Sequence, residues 1–308
     1  MMKNYLGIFF LFFSTLLSAQ YQWDYGFQLG ASNYLGDMGG KQGPRKDFVS
    51  DMKLAQTRWG GAGFLRYKFN RKLSLRAQLA YMRIQGADSL SSNPARHTRN
   101  LSFRNDIFEL SITPQLTIYE NQDLGSSYRS RLGFNFYVMA GIGIMHHNPK
   151  ALYEGDWVAL QPLHTEGVNY SLWQGVIPLG TGFYFTVRKK HRIGFEFNWR
   201  VTFTDYLDDV SNKYVDPSTL SAQGAALANR SNIQSAKGDQ NLLNNFGYNP
   251  TLNPGEKRGD LKHNDTYMTA TLNYSYVIRG HGSFYKSRYG SFFFKKSRKR
   301  SRKVRAKF

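Results

Sequence analysis

Glu109 and Glu196 are the carboxylates whose placement could do acid–base work, since both fall on the polar phase of alternating segments that also carry Arg66, Arg76 and Arg200. No serine, histidine and acid at nucleophile spacing accompanies them, so the five charges are expected to form a structural ion-pair network. His146 and His147 are adjacent, and neighbours on a strand end point to opposite faces, which makes a poor metal site. Asp205, Asp208, Asp209 and Asp216 crowd into the stretch FTDYLDDVSNKYVD. Their oxygens could take calcium, but the spacing is not that of an EF-hand loop, and a solvated acidic rim is the expectation. With no cysteine, disulfides, thiolate nucleophiles and cysteine-bound zinc are all removed. No cofactor and no small-molecule substrate is expected.

Charge concentrates at the end of the chain. Residues 279–308 hold twelve Lys or Arg and no acid, more than half of the net +20. Aromatic Phe284, Tyr285, Tyr289, Phe292, Phe293 and Phe294 are interleaved with them, as a merely solubilising tail would not need. The expectation is a docking arm for an acidic partner or for anionic lipid headgroups, with Lys295, Lys296, Arg298, Lys299, Arg300, Arg302, Lys303 and Arg305 as its contact residues. The alternative is a solvated basic tail.

The positive balance would ordinarily raise nucleic acid as a partner. The first residues move it elsewhere: MMKNYLGIFFLFFSTLLSAQ has Lys3, an apolar run from Tyr5 to Leu17 and small Ser18 and Ala19, the arrangement of a secretory signal cut after Ala19. That run falls short of the roughly 20 residues a spanning helix needs. An exported chain is expected, with no nucleic acid partner.

The elements that must position these residues are strands. Apolar residues make up 41% and aromatics 16%, with 29 glycines, a mixture that fits strands and turns better than helices. Trp23, Tyr25, Phe27, Leu29 and Ala31 alternate with polar or small residues, and Ile193, Phe195, Phe197, Trp199, Val201 and Phe203 alternate with Arg192, Glu196, Asn198, Arg200 and Thr202. Similar period-two segments start near residues 59, 73, 108, 132, 173 and 268. Pro114 breaks the apolar phase of the fourth and is expected at a bulge or a weak pairing. Short connections at 70–72, 120–131 and 188–191 alternate with long ones at 35–58, 83–106, 145–171 and 206–265.

Eight such strands predict an all-β, eight-stranded antiparallel outer-membrane β-barrel over residues 20–279, after a signal peptide at 1–19 and before the basic tail at 280–308. A soluble β-sandwich also alternates, but explains less well why the strands end in aromatics such as Trp23, Tyr34, Tyr119 and Tyr276. Short turns on the periplasmic side put the long loops, including the 206–265 insertion, outside the cell and return the tail to the periplasm. An eight-stranded barrel is only wide enough to be filled by its own side chains, so lumenal transport is not expected.

The stretches QLGASNYLGDMGG (28–40), SFRNDIFELS (102–111), FYVMAGIGIMHHNPKA (136–151), ALQPLHTEG (159–167), FTDYLDDVSNKYVD (203–216) and HNDTYMTATLNYSY (263–276) together resemble the PorG family. These are outer-membrane components of the type IX secretion and gliding machinery of Bacteroidetes. The resemblance implies a barrel that associates with the periplasmic PorK–PorN ring, and it brings no catalytic residue. The expected function is therefore a non-enzymatic, membrane-embedded anchor. The other class of function compatible with the pattern is an adhesin or lipid-modifying enzyme working through its external loops.

Overall fold

The computed structural model describes residues 23–38, 54–91, 94–124, 132–231, 254–261 and 263–278. Eleven strands run through them: β1 (Trp23–Leu35), β2 (Arg58–Lys68), β3 (Leu73–Ala87), β4 (Ser102–Leu124), β5 (Leu132–Ala140), β6 (Ile142–His146), β7 (Pro149–Tyr153), β8 (Asp156–Ala159), β9 (Trp173–Val187), β10 (His191–Thr202) and β11 (Thr266–Val277). Two short helices, α1 (Pro94–Arg99) and α2 (Ala222–Ala228), lie in the long connections.

All eleven strands belong to one antiparallel sheet. Its order is β3-β2-β1-β11-β10-β9-β5-β4, and β4 pairs back with β3, so the hydrogen-bonded path closes on itself. Strands β5 and β6 occupy one place in that path, both lying between β4 and β9. They are separated only at Gly141, whose N–H still donates in register to the carbonyl of Pro178 on β9, so the interruption lies on the β4 side. The expected fifth strand is thus broken, and the break explains Pro114. It pairs with Leu75 on one side, while on the other the register passes from Ile112↔Ile142 to Gln115↔Met139, so the proline faces the interruption where a donor is not needed.

Several boundaries differ from the sequence reading. β3 continues to Ala87 and β4 begins at Ser102, so their pairing extends well past the apolar segments into the 83–106 connection. β4 also continues to Leu124, which takes strand into the expected 120–131 turn. The 145–171 connection holds the β7–β8 hairpin, whose root pairs with Arg104 and Asn105 of β4. In the outer parts of β3 and β4 the phase is reversed, with Met82, Ile84, Phe103 and Ile107 buried inside and Arg83, Gln85, Arg104 and Asp106 half-buried outside.

The two faces of the closed sheet are inverted relative to a water-soluble protein. On β3 the inward positions Ser74, Arg76 and Gln78 are buried, while outward Leu73 and Leu79 are 41% and 62% exposed. On β4, Glu109, Ser111, Thr113 and Gln115 face in, and Phe108, Leu110, Ile112 and Leu116 stand exposed outside. Leu29 and Leu272, paired across β1 and β11, are exposed as well. Aromatics bound this apolar wall at both ends. Trp23 packs on Tyr67, Tyr25 on Tyr276 and Tyr119 on Phe134 at the end of the short turns. Trp59, Tyr81 and Phe108 form a row at the other. Tyr67 and Trp59 lie eight residues apart on β2, which for a strand tilted about 40° is roughly 20 Å of height.

Beyond the Trp59 row the inward positions turn apolar. Met82, Ile84, Phe103, Ile107 and Met145 build a core with Leu207 and Val210, contributed by the β10–β11 connection. A smaller core sets Ala151 and Leu160, from the inner side of the β7–β8 hairpin, against Leu227 of α2.

Candidate functional site

Inside the sheet, charges sit in three paired tiers. Nearest the short turns, Asp24 takes Arg66 at 2.9 Å and also Arg192. In the middle, Glu196 is clamped by Arg76 Nη1 and Nη2 at 2.6 and 3.0 Å and accepts from Tyr137 Oη at 2.7 Å and Asn198 Nδ2 at 2.7 Å. In the third tier, Glu109 accepts from Arg200 Nε at 3.1 Å and Tyr267 Oη at 3.0 Å, and Arg200 also donates to Thr269. All these ions are buried, and an ion removed from water is tolerated only with such partners. The sequence expectation of a network holds, with one change: Arg66 belongs to Asp24, a residue read only as part of a polar face. Arg76 with Glu196, and Arg200 with Glu109, join strands on opposite sides, so their side chains cross the lumen. The space bounded by Gln28, Gln78, Arg200, Thr269 and Thr271 amounts to about 10 Å³, of the order of one water.

The long-loop mouth is closed by a cap, and here the acidic motif is corrected. Asp205, Asp208 and Asp209 are buried, with only Asp216 exposed, where it caps a short turn by accepting from the N–H of Ser218. Acid composition does not bring a solvated rim here, because apolar Leu207 and Val210, interleaved with the aspartates, carry the segment into the mouth. Two buried arginines stitch it to other loops. Arg258 donates to Glu166 at 2.8 Å and to the Asp209 carbonyl at 2.5 Å, and Arg99 grips Asp88 at 2.7 and 2.9 Å while donating to the carbonyls of Asp37 and Arg258. Glu166 accepts in addition from the N–H groups of Ser211 and Asn212.

Tyr34 Oη accepts from the N–H of Asp37 at 2.9 Å and lies 2.6 Å from Asp208 Oδ2 and 2.7 Å from Asp265 Oδ1. A hydroxyl has one proton to donate, so one of the two carboxyls must itself be protonated to complete the pair. Burial, reinforced by the Asp265 and Asp37 charges, holds the Asp208 carboxyl well above its usual range. Burial also pushes Asp209 up to about 6, against the opposing Arg258 guanidinium and the hydroxyls of Thr165 and Tyr170. Gly36 is required beside this cluster: a Cβ there would come within 1.9 Å of Tyr34 Oη and 2.0 Å of Asp265 Oδ1.

The two histidines separate as expected. His147 is fully buried and lies parallel to Tyr170, which stacks on Tyr206 at 4.5 Å, whereas His146 meets Trp173 on the outer side. Burial lowers the His147 pKa to about 4. Among the described residues no group of three or more His, Asp or Glu is placed to hold a metal ion, and no helix is long and apolar enough to cross a membrane. The signal segment 1–19, residues 232–253 of the long insertion, and the tail with Lys295 to Arg305 lie outside the described residues.

An all-β antiparallel sheet with a polar, ion-paired interior and an apolar exterior defines the class of protein. The profile of a domain of unknown function, DUF6089, matches residues 2–227, and the chain belongs to that family. No curated protein matches the sequence. Similar solved structures include that of Ail, the attachment invasion locus protein of Yersinia pestis, in complex with the heparin analogue sucrose octasulfate. It is 11% identical, covers 83% of this chain and 99% of its own, and has a TM-score of 0.33. A second Ail crystal structure is 8% identical over the same shares, with a TM-score of 0.32.

Proposed function

We propose that this chain is an integral outer-membrane protein, an eight-staved barrel that acts as a non-enzymatic anchor for a larger periplasmic assembly. The observation that carries the membrane reading is the inversion of faces: a band of exposed Leu, Ile and Phe bounded by aromatics surrounds a lumen of paired charges. Water would penalise that exterior, and lipid would not. Counting β5 and β6 as one stave, the closed path has eight. β1 starts and β11 ends at the same edge, on the side of the short turns, where the N–H of Ile278 donates to the carbonyl of Trp23.

The anchor reading goes further than the fold. Its support is the resemblance to PorG along the chain and the acid-free basic tail, with Lys295, Lys296, Arg298, Lys299, Arg300, Arg302, Lys303 and Arg305 as the surface offered to a PorK–PorN type ring. A buried, arginine-clamped Glu109 and Glu196 favour this role over acid–base chemistry, because neither carboxylate faces a space a substrate could enter. The test is co-purification of the ring with tagged full-length protein and with a variant lacking 290–308, at low and high salt. Recovery should be high only for the full-length protein at low salt, since exposed charges act collectively and are screened. Equal recovery in all four conditions would contradict docking through the tail.

A further inference from the structure

The outer wall just past the Trp59, Tyr81 and Phe108 row changes from apolar to basic. The next outward position on β3 is Arg83, paired in register with Asp106 of β4 and bonded to it at 2.6 Å, with Tyr81 Oη donating to the same oxygen at 2.7 Å. One outward position further, Arg104 lies opposite Lys150 of β7. The Arg104 guanidinium sits 4.1 Å from the centre of the Trp157 ring and 3.9 Å from Asp106. Residues paired in an antiparallel ladder share a face, so Lys150, Leu152 and Trp157 of the hairpin continue this outer surface, and the last two are 40% and 38% exposed. Among the described residues, Arg83, Arg104 and Lys150 thus gather around one carboxylate, Asp106, and the acids of the hairpin itself, Glu154 and Asp156, lie at its tip.

Position decides what such a surface meets. It begins where the aromatic row ends, at the height where a bilayer places its phosphates, and it alternates cations with exposed apolar groups. We propose that Arg83, Arg104 and Lys150 bind the phosphate headgroup of an anionic lipid in the leaflet nearest the long loops, with Leu152 and Trp157 against its glycerol and upper acyl carbons. The proposal rests on the membrane reading above. A lipid suits the site better than a soluble phosphate because only a lipid uses the apolar half of it, and Asp106, by holding Arg83, limits how tightly the headgroup is gripped.

The test is native mass spectrometry of the full-length protein released from nanodiscs of mixed phosphatidylcholine and phosphatidylglycerol. Wild type should retain phosphatidylglycerol selectively, and Lys150→Gln and then Arg104→Gln/Lys150→Gln should lower that retention about fivefold for each cation removed. Asp106→Asn should raise it, a gain that misfolding cannot mimic. Added inorganic phosphate should leave retention unchanged; displacement by it would overturn the choice of a lipid. Entry into nanodiscs with equal lipid retention by wild type and the double variant would overturn this proposal alone. Failure to enter them would overturn the membrane reading and this site with it.

Discussion

At the scale of single residues, the lumen and the cap use buried charge in opposite ways. In the lumen each acid is matched by arginine, so removing one partner leaves an ion stranded. Glu196→Leu should cost on the order of 3–5 kcal/mol in urea unfolding, and Arg76→Met/Glu196→Leu should recover much of it. In the cap, Arg99 and Arg258 hold Asp88 and Glu166, but Tyr34 lies between the carboxyls of Asp208 and Asp265, where a proton completes the contact, and burial outweighs Arg258 at Asp209. Asp209, raised to about 6, stabilises the cap at low pH and loses that contribution as pH rises from its unfolded value through 6. His147, lowered to about 4, does the reverse, because below its unfolded value of 6.5 the unfolded state takes up the proton first. The two trends oppose one another between about pH 4 and 6. In His147→Phe the acid trend should stand out, so protection of the 203–214 amides, taken relative to their intrinsic exchange rate at each pH, should rise as pH falls from 6 to 4; protection that stays flat or falls in that variant would contradict the assignment. The pairing of Arg76, Glu196, Glu109 and Arg200 was legible from phase alone. The burial of Asp208 and Asp209 was not, because nothing local in FTDYLDDV distinguishes a loop that turns out to water from one that turns into the mouth.

At the scale of elements, period two reveals a strand wherever one face meets an apolar medium, and it fades where the contrast between faces does. The eight segments of the apolar wall were therefore readable. The outer parts of β3 and β4 and the β7–β8 hairpin were not, since Ile84, Phe103 and Ala151 pack inward there while polar residues and scattered apolar ones share the outside. The 188–191 turn was legible as a basic hairpin, but its geometry was not: Arg188 and Lys189 both adopt positive φ, 50° and 58°, in a turn closed by the Lys190 N–H on the Val187 carbonyl. Such a turn favours Asn-Gly. Arg188→Asn/Lys189→Gly should accordingly stabilise the folded protein by about 1 kcal/mol in urea titrations, and a loss of stability would contradict the turn. Gly36→Ala should act the opposite way, forcing Tyr34 off Asp208 and Asp265 and raising exchange across the cap without unfolding the wall.

At the scale of the whole molecule, ion pairs cross the interior and the 203–214 segment packs over the mouth near the long loops, an arrangement that disfavours passage of solute. Purified protein in planar bilayers should show no large, long-lived conductance; stable porin-like channels would contradict the packing of Arg76, Glu196, Arg200 and Glu109 across the interior. All of this depends on one claim, that the exposed apolar wall faces lipid. Leu272, 67% exposed near the middle of that wall and paired with Leu29, tests it most directly. On a protein surrounded by water, arginine there would be neutral or would improve solubility. In the bilayer account, urea unfolding of Leu272→Arg in lipid vesicles should show a loss of about 2–4 kcal/mol relative to wild type, and an unchanged or increased stability would contradict it.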